Sequence, residues 1–132
     1  MKSNVGFLAP LARTLIAAIF VLSGWSKLMD VSGTAKHIAD KGLPLPIVAA
    51  VIAVVVELGG GLALIAGIKA RWVSLAMFVF MIPTTYFFHD FWHVQGGAQL
   101  MQKIQFEKNL AIMGGLLMVF VFGVGPLSVD KK

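Results

Sequence analysis

The sequence predicts an all-α fold, an integral membrane four-helix bundle with up-down-up-down topology. Three observations carry that expectation. The chain is 58% hydrophobic and only 13% charged, roughly half the charge of an ordinary soluble domain, and its mean hydropathy of +0.88 is too high for a surface that faces water. Four apolar stretches approach the roughly 20 residues that a helix needs to cross a bilayer. Short connections bearing Gly, Pro or Ser separate them. One domain over residues 1–132 is the natural organisation at this length.

The first span is expected over 7–29 and ends at Asp30, Ser32 and Gly33. Lys2 ahead of an apolar core suits a cleaved signal peptide. However, the run is long, Arg13 interrupts it and no A-x-A-like site follows, so a retained anchor is expected. The segment Val31–Leu43 sets Lys36, His37, Asp40 and Lys41 around Ala35, Ile38 and Ala39. It reads equally as a solvated loop or as a short interfacial helix with Ile38 toward lipid and the lysines toward headgroups. Gly42, Pro44 and Pro46 introduce the second span over 45–67, proline being well placed where a helix starts. Gly67-Ile68-Lys69-Ala70 is so short a turn that this span and the third, over 71–89, must form an antiparallel hairpin. Gly96-Gly97 lies in the next connection; the fourth span is expected over 107–125, stopped by Pro126. Trp25, Trp72 and Trp92 fall near span ends, where an aromatic belt places anchors rather than ligand stackers.

Composition also excludes functions. The absence of cysteine rules out disulfides, thiolate nucleophiles, Fe–S clusters and cysteine zinc sites. The net charge of +5 does not indicate nucleic acid, because the basic residues are scattered over connections and tails instead of forming a stripe. An even number of spans puts both termini on one side. Lys2, Arg13, Lys69, Arg71, Lys131 and Lys132 group there, against Lys27, Lys36, Lys41, Lys103 and Lys108. With Lys27 and Lys108 set aside as embedded, the positive-inside rule places the termini in the cytoplasm.

Ionisable residues within the spans are the functional candidates, since a charge at a helix centre costs roughly 2.5–3.5 kcal/mol even on lenient scales. Arg13, Ala17, Phe20, Gly24 and Lys27 form one narrow helical stripe. Glu57 lies too deep to reach headgroups, so a cationic partner is expected, and antiparallel geometry suggests Arg13; such a pair could equally be a structural clamp. Gly59, Ala63 and Gly67 form a small-residue ridge, and Gly114-Gly115 a second close-packing face. Pro83 can kink the third span, with Thr84 and Thr85 at hand for freed backbone groups. His89 and His93 stand at i and i+4, but without a third convergent ligand no metal is expected. Lys108 beside Glu107 opposes the dipole at the expected helix start, which suggests a specific partner. Lys27, His89 and Lys108, at similar depth, would form a cationic rim above an apolar interior, fit for the oxygens of a quinone.

The ordered set of these residues resembles the DoxX family of small bacterial four-helix membrane proteins. It comprises Arg13, Phe20-x-x-x-Gly24-x-x-Lys27-Leu28, Gly42-Leu43-Pro44 and Glu57-x-x-Gly60-Gly61 with Leu64 and Gly67. It continues with Thr84-Thr85, His89-Asp90-Phe91-Trp92 and Lys108-Asn109-Leu110-Ala111-x-x-Gly114-Gly115. The resemblance implies the bacterial inner membrane and an association with quinol oxidase or thiosulfate:quinone oxidoreductase assemblies. The first functional expectation is therefore a quinone- or quinol-binding redox subunit, at most one subunit of an oxidoreductase, whose partner carries the electron-transfer cofactor, since no dinucleotide motif is present. In it His89 exchanges protons, Lys27 and Lys108 contact ligand oxygens with Asn109 adjoining, and Arg13 and Glu57 shape the inner pocket. The alternatives are a non-catalytic accessory subunit of a respiratory complex, and a small-solute carrier, for which four short helices leave little room.

Overall fold

The computed structural model describes residues 6–130; Lys2, Lys131 and Lys132, on which part of the orientation expectation rests, lie outside them. The described residues form α1 (Leu8–Met29), α2 (Val31–Asp40), α3 (Pro46–Val54), a π-helical turn (Val55–Gly59), α4 (Gly60–Ala66), α5 (Ala70–Phe88), a 3-10 turn (Phe91–His93) and α6 (Gly97–Phe122). Counting α3, the π turn and α4 as one rod, four helices are long and apolar enough to cross a membrane. The exterior fits that solvent: Leu15, Leu22, Val79 and Phe122 all stand outward and exposed.

The junctions follow from local chemistry. Asp30 ends α1, and its carboxylate accepts from Gly33 N at 3.0 Å, so the chain turns at once into α2. Pro46 opens α3, where its missing N–H has no partner to lose. Gly67 at φ 75° and Lys69 at φ 46° make the left-handed turn into α5. At Gly67 a side chain would also strike the Cβ of Ser128. The segment after α6 folds back across this turn: Val129 N donates to Ala66 O at 3.0 Å and Asp130 N to Gly67 O at 2.8 Å. The Asp130 carboxylate then accepts from Lys69 N at 2.7 Å and Ala70 N at 2.9 Å, capping the start of α5.

Glycines set how closely the rods approach. A Cβ on Gly24 would lie 2.5 Å from the backbone nitrogen of Leu58, and one on Gly61 would press on Val21 and the Ala17 carbonyl, so α1 and the second span pack backbone to backbone. The expected ridge of Gly59, Ala63 and Gly67 is displaced: Gly59 faces open space, and the close contacts belong to Gly60, against Met77, and Gly61. In the expected Gly114-Gly115 face only Gly115 packs, against Ile16.

The helices pair as α1 with the second span and α5 with α6, and the two pairs are joined mainly where α4 meets α5. There Ala17, Phe20, Leu64, Met77, Met81 and Leu116 form the core. Toward the other end α3 makes no extended contact with α5, and the pairs diverge. The segment after α1 is helical, and Ile38 turns inward onto Ala35 and Ala50, not toward lipid, because the divergence leaves an apolar gap that α2 covers. Lys41 Nζ reaches Asp90 at 3.3 Å, linking the end of α2 to the connection after α5.

The fourth span shifts from its expected bounds. α6 begins at Gly97, not 107, so Lys108 sits within the helix and does not oppose a helix start. The added turns carry Gln99, Gln102, Lys103 and Gln105, good helix formers whose polarity hid them from a hydropathy reading. α5 continues as α-helix through Pro83, and the Thr84 hydroxyl donates to Phe80 O at 2.9 Å.

Candidate functional site

A cavity of about 540 Å³ lies where the helix pairs diverge. Its walls are mostly apolar, with Ile19 and Phe20 from α1, Ile52 from α3, Phe80 and Phe87 from α5 and Ile112 from α6. Ile38 and His37 of α2 contribute a further wall, and the His37 ring lies 5.1 Å from that of Phe88.

Into this apolar chamber the sequence sends a few polar groups. Lys27 stands one helical turn beyond Ser23, and its Nζ donates to Ser23 Oγ at 2.7 Å and to Glu57 Oε1 at 3.0 Å. Glu57 is 5% exposed and sits inside the π turn. Single π turns inside α-helices recur at functional sites because the widened turn re-aims a side chain. Gly59-Gly60-Gly61 follow the carboxylate directly, but Gly59 and Gly60 keep ordinary helical angles, φ -64° in both, so the glycine run does not account for the widened turn. On the facing pair, Asn109 Nδ2 donates to Thr85 Oγ1 at 3.0 Å, a buried bond between α6 and α5. His89 Nδ1 lies 2.9 Å from Gln102 Oε1. Lys27, Glu57, His89 and Asn109 all line the cavity, together with Gln105 and His37, which sequence reasoning had not singled out. Among the described residues no three His, Asp or Glu side chains converge as a metal site would need.

Arg13 does something else. It is 4% exposed and pairs with no carboxylate among the described residues, correcting the expected bond to Glu57, which pairs with Lys27. The register explains why. Gly24 opposes Leu58 and Ala17 opposes Gly61, so Glu57 lies level with Gly24, about three helical turns from Arg13. The guanidinium instead donates to main-chain carbonyls: Nε to Leu64 at 3.0 Å, Nη1 to Val124 at 2.9 Å and Pro126 at 3.1 Å, and Nη2 to Leu127 at 2.7 Å and Ile65 at 3.5 Å. Leu64 and Ile65 lie at the C-terminal end of α4, where carbonyls carry the negative end of the helix dipole and suit a cation, while the other three acceptors belong to the segment after α6. Arg13 is outside the cavity lining, and so is Lys108, which is exposed on α6; the expected rim of three cations reduces to Lys27 and the neighbouring His89.

The tryptophans also stand apart from the chamber. Trp25 and Trp72 are exposed, and Trp92 packs among Tyr86, Phe91 and Phe106.

Similarity to known proteins agrees with this architecture. The DoxX family model matches residues 8–90, a stretch that holds Arg13, Lys27, Glu57 and His89. Inner membrane protein YqjF of Escherichia coli K12 is 33% identical over 131 residues, covering 97% of this chain and 92% of that protein. Inner membrane protein YphA of the same organism is 31% identical over 122 residues, covering 92% of this chain and 87% of that protein. ER-derived vesicles protein ERV29 of Saccharomyces cerevisiae is 30% identical over 79 residues, 60% of this chain but 26% of that protein. No solved structure matches the chain. With four membrane-length apolar helices and a match running from α1 past the end of α5, this chain belongs to the DoxX family.

Proposed function

We propose that the protein resides in the bacterial inner membrane, termini in the cytoplasm, and binds a quinone or quinol headgroup in the cavity, as a redox subunit beside a partner that carries the electron-transfer cofactor. The observation that carries this reading is the Lys27–Glu57 ion pair, 3.0 Å long, facing a mostly apolar cavity of about 540 Å³. Ligand sites typically measure about 300–1,000 Å³ and combine apolar walls with a few polar groups that fix orientation. The aromatic and aliphatic walls suit a substituted ring, and Lys27, His89 and Asn109 suit its oxygens. His89, held by Gln102, is the residue for proton exchange. The inner membrane relatives support the location.

Quinone in the lipid extract of purified protein tests this. Wild type retains about one quinone per chain, Lys27→Ala and His89→Ala lose most of it, and Lys108→Ala retains it. Quinone-free wild type that also fails to bind an added short-chain quinone would end this reading.

A second reading, an accessory subunit, draws on α6. Leu110, Gly114, Leu117, Met118 and Val121 share its outer face, with open space at Gly114 that a partner helix could fill. Full recovery of a respiratory partner with the Lys27→Ala variant would favour it. The carrier reading gains least, because the Arg13 end is bonded shut.

A further inference from the structure

The hydrogen-bonding groups of the cavity are not evenly divided between donors and acceptors, and the imbalance speaks to which redox form of a ligand fits. This rests on the quinone-site reading above. A carboxylate only accepts. Glu57 Oε1 receives Lys27, while Oε2 has no protein partner among the described residues and belongs to a side chain that lines the cavity. His89 Nδ1 faces Gln102 Oε1 at 2.9 Å. With the Gln102 amide assigned oxygen-first, that oxygen only accepts, and the ring proton is assigned to Nδ1. In that tautomer Nε2 presents a lone pair, again without a protein partner among the described residues. Asn109 spends one N–H on Thr85 and keeps its amide oxygen.

On the donor side, Lys27 has one N–H left after Ser23 and Glu57, and Asn109 has one. Ser23, Thr34, His37 and Gln105 can each serve in either sense and so do not tip the balance.

We infer that the site is built for the dihydroxy form, a 1,4-hydroquinone, in preference to the corresponding dione. One ligand hydroxyl donates to Glu57 Oε2 while accepting from Lys27 Nζ; another donates to His89 Nε2 or Asn109 Oδ1. A dione brings lone pairs only. It can take the Lys27 proton, but it leaves Glu57 Oε2 and His89 Nε2 unpaired in an apolar chamber, and sites built to hydrogen-bond a hydroxyl discriminate strongly against analogues that lack it.

The experiment is anaerobic titration of the protein in lipid nanodiscs with a short-chain 1,4-benzoquinone and, separately, with its hydroquinone, read by calorimetry. The hydroquinone binds at least about tenfold more tightly to wild type. The midpoint potential of the bound couple then rises by about 30 mV per tenfold preference, as a two-electron couple requires. Glu57→Gln, which can donate as well as accept, shrinks the ratio by tightening the dione. Gln102→Leu, which lies outside the cavity lining and releases the His89 tautomer, shrinks it without touching the ligand. Equal binding of both forms, or tighter dione binding, overturns the preference while leaving a quinone site intact; binding of neither form overturns the site itself.

Discussion

Arg13 and Lys27 stand on the same stripe of α1, about four turns apart, and the fold treats them in opposite ways. Arg13 is surrounded by main-chain carbonyls from α4 and the segment after α6, with every direction of its guanidinium fork used. Lys27 meets one carboxylate and one hydroxyl, keeps a donor unused and borders a chamber. Both are cations inside membrane-length helices, so an ionisable residue in a span is a reason to look for a site and not proof of one. The distinction lies in the partners. Backbone carbonyls at helix ends are fixed dipoles that hold a cation for good, whereas a carboxylate in a roomy pocket can exchange one partner for another.

The largest effect comes from separating Lys27 and Glu57. Lys27→Met or Glu57→Leu alone leaves the other charge uncompensated, and each destabilises by about 3–5 kcal/mol. The double variant restores most of the loss, in a double-mutant cycle of unfolding in detergent micelles. Near-additive losses would mean that each charge has a partner of its own. Arg13→Lys comes next, at about 2 kcal/mol, because three donors cannot serve carbonyls arranged for a planar fork. Hydrogen exchange at Val129 and Asp130 speeds up, since their bonds to Ala66 and Gly67 lose their anchor. Ligand binding in the cavity stays unchanged, which sharpens the contrast between the two ends.

Gly24→Ala follows. Its Cβ meets the Leu58 backbone at 2.5 Å, so the helices must part at a cost of about 1–2 kcal/mol. Gly59→Ala meets nothing and is neutral or slightly stabilising in the same assay. The smallest effect belongs to Asp130, whose carboxyl is held below the ordinary carboxylate range by bonds from the Ala70 and Lys69 amides, with the Lys69 and Arg13 charges adding to them. A group whose pKa falls on folding stabilises above its unfolded pKa of about 4 and loses that contribution as pH falls through the lower folded value. Protection of the Lys69 and Ala70 amides, taken relative to their intrinsic exchange at each pH, therefore falls at acid pH in wild type and is low at every pH in Asp130→Ala.

Much of the fold was legible because hydrophobic length is a robust signal: the helices of the first three spans fall within a residue or two of their expected bounds. The early start of α6 was not legible, since Gln99 to Gln105 carry no apolar run and their role emerges only once Gln102 meets His89. That Glu57 needs a cation was legible from its depth; which cation was not, because helix register depends on where Gly24 and Gly61 let the backbones touch. Thr85 and Asn109 could not be matched from sequence, since nothing marks two polar residues 24 positions apart as partners. No residue type announced the π turn, because its backbone angles at Gly59 and Gly60 are ordinary helical ones.

The Arg13 bonds have a consequence for how the protein is made. Val124, which receives Nη1, follows Arg13 by 111 residues, so at translation rates of about 5–20 residues per second that acceptor emerges from the ribosome roughly 5–20 s later. Until then only the Leu64 and Ile65 carbonyls of α4 can meet the guanidinium, and its remaining N–H groups reach for headgroups. Final closure of the bundle at that end is therefore post-insertional, and a nascent chain halted after α6 would expose to membrane quality control a cation that the finished protein conceals.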